Sequence, residues 1–182
     1  MKRAVLIALA LGIIGVQQST AQFSIGLLGG YGFKDGYKIG FGARAGYSAS
    51  ILYVGGIAMV HTGQEDNVTS AAQSIDVKTN ASYYGAELGV NLGTLRPSLI
   101  LGAVNLKVDA GQEQSEAKFL LGPGLTVFIP LSENLFIGGD ARLLVVSKDD
   151  ALDADSIGDI ESTWDNPSGT LVALYATIGY TF

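Results

Sequence analysis

The chain has one histidine, His61, and chemistry is sought there first. An imidazole that activates a serine needs the hydroxyl within hydrogen-bond reach and an acid to orient the ring. Ser70 and Ser74, with Glu65 or Asp66, follow His61 in one polar stretch. Gly63 stands two positions after the histidine, so local spacing holds no serine against it. No catalytic residue is assigned, and the same holds for metal ligands and cofactor contacts. With zero cysteines the chain offers no thiolate nucleophile and no disulfide framework. Residues 148–168 are strongly acidic, with Asp149, Asp150, Asp153, Asp155, Asp159, Glu161 and Asp165. Asp153-x-Asp155-x-x-Gly158 echoes the start of a calcium loop, but Ile157 takes a ligand position and Trp164 replaces the terminal Glu. That stretch reads as a solvated loop. Gly30-x-Gly32 and Gly40-x-Gly42 open no helix, so they are not phosphate loops. Four other charges stand inside otherwise apolar segments: Arg44, Glu87, Asp140 and Arg142. What they do depends on which way those segments face.

The clearest segment is the last. From Thr170 to Phe182 the residues alternate, with Val172, Leu174, Ala176, Ile178, Tyr180 and Phe182 on one face. A strand sends successive side chains to opposite faces, so this is one long strand with a wholly apolar face. Seven more segments read the same way: Phe23–Phe33, Tyr37–Tyr47, Ile51–His61, Ala81–Leu92, Leu95–Val108, Ala117–Ile129 and Leu135–Ser147. The connections alternate between short turns and longer polar stretches. The pattern predicts an all-β fold, an eight-stranded antiparallel up-and-down transmembrane β-barrel over residues 22–182.

In most segments, charges and glycines share the face opposite the large apolar groups. Arg44 falls with Gly40, Gly42 and Gly46; Glu87 with Gly85 and Gly89; Asp140 and Arg142 with Gly138. An eight-stranded barrel has an interior just wide enough for side chains to fill. Charges are therefore expected inside and apolar faces toward lipid, since an arginine on the lipid face costs roughly 2–4 kcal/mol near the midplane. Arg44, Glu87, Asp140 and Arg142 are then expected to form a balanced lumenal salt-bridge network that plugs the barrel. Asn105 and Tyr175 are expected in the lumen, and Lys107 and Lys118 near the outer rim, solvated or against lipopolysaccharide phosphate. His61 is expected at the outer end of its strand as a solvated or interfacial residue. Pro123 removes a ladder donor from a barrel without edges, which predicts a bulge. The segment Ile51 to Met59 is apolar on both faces, so its facing cannot be read.

The other end reads as a targeting segment. Met1-Lys2-Arg3 is basic, Ala4 to Val16 is an apolar run of about a dozen residues, and small residues follow. This predicts a signal peptide over 1–21, cut after Ala21. The run is shorter than the roughly 20 residues of a membrane-spanning helix. The chain carries a net charge of −6, more acidic once Lys2 and Arg3 leave, which argues against nucleic acid as a partner.

These features, with Gly29-Gly30-Tyr31-Gly32 near the start and Tyr180-Thr181-Phe182 at the end, resemble the small outer-membrane β-barrel family, the OmpX/OmpA-type barrel domain. The resemblance implies a bacterial outer-membrane location, a monomeric wall in outer-membrane lipid and lipopolysaccharide, and Tyr180 and Phe182 as a C-terminal signal for the barrel-assembly machinery. It implies no single activity. A non-enzymatic structural or surface-interaction role leads. A narrow porin-like pore for small solutes is the alternative. A lipid A modifying enzyme comes last, because the His-x-Ser pattern of deacylases is absent at His61.

Overall fold

The fold is described from a computed structural model, which describes residues 21–34, 36–63, 65–70, 73–109, 113–147 and 168–182; for residues 65–77 and 113–114 the description is of the backbone. The described residues form nine strands in chain order: β1 (Gln22–Gly32), β2 (Ile39–Ala49), β3 (Leu52–Thr62), β4 (Glu65–Ser70), β5 (Gln73–Val90), β6 (Leu95–Asp109), β7 (Glu113–Pro130), β8 (Leu135–Val146) and β9 (Gly169–Thr181). Eight of them form a closed, wholly antiparallel ring. β1 pairs with both β2 and β9, and β3 pairs with β5, so no free edge remains in the wall. Closure is what lets the strands of the wall pair on both sides without water.

Among the described residues β4 stands outside the ring and pairs only with the first third of β5, from Glu65↔Lys78 to Ser70↔Gln73. The sequence predicts a polar connection over 62–79, whereas the structure extends the β3–β5 hairpin as a two-stranded ribbon. The pattern reading misses it because β4 is polar apart from Val68, and the short Ile75, Val77 alternation in β5 stands among Asp76, Lys78 and Asn80 in an otherwise polar stretch. β6 and β7 are also long, pairing from Leu95↔Val127 out to Asp109↔Glu113. β8 stops at Val146, opposite Leu120, so the far end of β7 runs past it.

Register assigns the faces. In β9, Leu171, Ala173, Tyr175 and Thr177 are buried, while Val172, Leu174, Ile178 and Tyr180 are exposed. β3, ambiguous in sequence, buries Tyr53, Ile57, Met59 and His61 and exposes Leu52, Val54, Ala58 and Val60. The outward face of the ring is thus almost continuously apolar. Pro123 makes no bulge. Its pairing to β6 is unbroken through Leu99↔Pro123. Toward β8 the ladder lapses between Leu121↔Val145 and Gly124↔Arg142, with register unchanged across the gap. The missing donor is absorbed by two unpaired positions, not by an inserted residue.

Candidate functional site

The site with concentrated polar chemistry is the lumen, and glycines make room for it. Gly40 faces the His61 ring, Gly42 faces Met59, Gly46 and Gly55 face the Tyr53 hydroxyl, and Gly30 faces Tyr175. A Cβ at any of these would collide with the side chain opposite. The small residues are therefore notches for the large ones, and the interior is packed as a core. A concavity of about 1140 Å³ lies on the outer wall instead, floored by Ala43, Ala45, Gly56, Ala58 and Ala86.

The lumen is layered. At the end where β1 meets β2, Tyr37 turns inward from the loop and is fully buried. Its ring meets His61 edge-on at 5.4 Å, and His61 stacks on Tyr83 at 5.6 Å. His61 Nε2 lies 2.9 Å from the Tyr175 hydroxyl. The histidine is thus buried among phenols, not solvated at a rim as its strand-end position suggests, because odd-numbered β3 residues face inward. The loop is tied down by Lys34 Nζ, which donates to the Ser168 carbonyl at 2.5 Å.

The next layer brings together all four charges singled out in the sequence. Arg44 Nη1 is 3.0 Å from Asp140 Oδ2 and 3.5 Å from Glu87 Oε1. Arg142 Nε donates to Asp140 Oδ1, and its Nη1 donates to the Tyr83 hydroxyl at 2.6 Å. Thr126 accepts from Arg44 at 3.0 Å and donates to Asp140 at 2.8 Å. Asp140 is therefore held by two guanidinium groups and a hydroxyl. All four charges are at least 95 % buried. Bonds through Tyr83 and Tyr175 link this layer to His61.

The sequence reading misses a third arginine. Arg96, near the start of β6, is buried with its guanidinium 3.6 Å from the Tyr53 ring and 4.4 Å from Phe128. Its Nε donates to Asn91 Oδ1 at 2.7 Å, and Asn91 in turn donates to Ser48. The signal for it is weak, because β6 is apolar on both faces and its parity is unreadable. Lys118 is the second correction. It is buried on the lumenal face of β7, 3.4 Å from Glu116 Oε2, not at a solvated rim. The lumen is consequently not balanced: four buried cations face two buried carboxylates among the described residues.

Other expectations resolve one by one. Tyr175 is lumenal, as expected. Asn105 is not; it lies on the outward parity of β6 and accepts from Ser115 at 2.7 Å. Lys107 is exposed on that same face. Tyr180 and Phe182 point outward, their rings 4.9 Å apart. Residues 1–20 and the acidic stretch 148–167 lie outside the described residues, as do the side chains of Glu65, Asp66, Ser70 and Ser74.

Comparison with solved structures identifies the fold. A major outer membrane protein from Thermus thermophilus superposes with a TM-score of 0.64 at 12 % identity, over 90 % of this chain and 100 % of that one. Neisserial surface protein A matches with a TM-score of 0.53 at 16 % identity, over 91 % and 100 %. Ail, the attachment invasion locus protein of Yersinia pestis, matches with 0.51 at 18 %, again over 91 % and 100 %. No protein-family model and no curated protein matches the chain. The chain thus has the fold of these small outer-membrane proteins, an eight-stranded closed antiparallel β-barrel.

Proposed function

We propose that this protein is an integral barrel of the bacterial outer membrane with a structural or surface-interaction role, a plugged lumen and no enzymatic activity. The observation that carries the reading is the filled interior. Rings, aliphatic side chains and the Arg44–Asp140–Arg142–Glu87 network occupy the lumen, with Tyr37 at one end and the stacked Arg96 at the other. The ladder that continues past the ring in β4, β5, β6 and β7 supports the surface role. Among the described residues its outermost strand, β4, pairs on one side only, and an extended segment of another protein could add to the other.

In this reading residues 1–21 are a cleaved export signal, and the assembly machinery reads Tyr180 and Phe182. The mature barrel inserts as a monomer, with outward apolar side chains in lipid and Lys107 near lipopolysaccharide phosphate. His61 takes no part in catalysis: its Nε2 faces Tyr175, and three aromatic rings surround it. The test is planar-bilayer conductance of the refolded protein. Silence at high salt is expected. Reproducible unitary steps would replace the plugged barrel with the narrow pore, and loss of lipid A modification on His61→Ala would revive the enzyme.

A further inference from the structure

The charge count of the lumen has a chemical consequence, which rests on the closed barrel and not on its surface role. Lys118 has its own counter-charge in Glu116, 3.4 Å away, although its Nζ makes no hydrogen bond. That leaves Arg44, Arg96 and Arg142 against Glu87 and Asp140 in the half of the lumen around Phe128. Arginine cannot shed its proton in a protein, so the excess positive charge cannot be relieved by titration. Water can satisfy hydrogen bonds there but leaves that charge without a counter-charge, and an uncompensated buried charge is costly.

The excess has a location. Arg44 and Arg96 both approach one ring, their guanidinium carbons 5.8 and 4.4 Å from the Phe128 centroid. Arg44 makes its polar contacts through Nη1 alone. Its Nε and Nη2 are buried without a hydrogen-bond partner, as are the Tyr53 hydroxyl stacked on Arg96 and the Ser98 hydroxyl two residues along β6. Against these donors stands one buried unpartnered carboxylate oxygen, Glu87 Oε2. Arg96 retains 8 % exposure at the turn end of the barrel, next to Asn91. Donor-rich, net positive, closely packed and open at one edge, this region suits a small anion.

We propose that the lumen binds a small monovalent anion of the chloride class between Arg44 and Arg96, beside Phe128. It is monovalent because the three arginines exceed the two carboxylates by one charge. It is small because the Tyr53 ring, stacked on Arg96, already fills the notches at Gly46 and Gly55. The anion completes the plug as a counter-ion.

A ligand that binds the folded barrel raises its melting temperature with concentration. The experiment follows thermal unfolding of the refolded protein in zwitterionic detergent by circular dichroism. Ionic strength is held constant while chloride replaces gluconate, which is too large for the lumen. The melting temperature is expected to rise and then saturate with chloride in the wild type, and to be indifferent to chloride in Arg96→Gln. A wild-type melting temperature indifferent to chloride overturns the proposal, as does equal dependence in Arg96→Gln. If Arg96→Gln does not refold, Glu87→Gln serves, since it enlarges the positive excess. Its half-saturation should fall to lower chloride, and an unchanged or higher value overturns the site.

Discussion

Asp140 is the residue on which the interior turns, since both Arg44 and Arg142 depend on it. Replacing it with Asn leaves two buried guanidinium groups short of a carboxylate. Removing one partner of a buried pair costs about 3–5 kcal/mol, so D140N should show a loss of that size in urea unfolding of the refolded barrel. The glycines give a paired prediction. Gly40→Ala drives a methyl into the His61 ring, whereas Gly139 has nothing within 4 Å of an added Cβ. Overpacking costs about 1–3 kcal/mol, so G40A should lower stability by that order and G139A should be neutral within about 0.5 kcal/mol. The same unfolding assay separates them.

At the scale of elements, β4 is attached to the barrel, among the described residues, through β5 alone. Val68→Pro should therefore unzip the ribbon and spare the wall. Hydrogen exchange is expected to speed up over 73–78 and stay slow over 81–90, where β5 pairs with β3 and β6. Equal loss in both halves would mean that the ribbon and the ring form one unit. The elements also explain what was legible in the sequence. Strands whose two faces differ in chemistry, such as β2 with Arg44 among glycines and β9 with its aliphatic stripe, announce both their period and their facing. β3 and β6 do not, because a lumen packed with Ile57, Met59, Ile100, Val104 and Leu106 is as apolar as the outer wall. Arg96 and the burial of His61 were hidden for that reason. The ribbon was hidden because β4 carries a single apolar residue, Val68, and two alternating ones, Ile75 and Val77, are too few to mark a strand. Pro123 misleads because pattern rules offer a bulge where the barrel tolerates two unpaired ladder positions.

As a whole molecule, the barrel is turned relative to a soluble one, with its apolar face outward and its charges within. Heat-modifiability follows from ring closure. The unboiled protein should migrate apart from the boiled form on a denaturing gel, with a strand-rich circular dichroism spectrum before boiling. The most direct measurement uses the absence of cysteine from the chain. Single cysteines along β9 at Val172, Leu174, Ala176 and Ile178, and at the inward Ala173 and Thr177, are spin-labelled in lipid vesicles and probed with oxygen and a water-soluble nickel chelate. High oxygen and low nickel accessibility are expected at the four even-numbered sites, and low accessibility to both at the inward pair. High nickel accessibility at Leu174 and Ala176 would put the apolar wall in water and contradict a lipid-facing barrel.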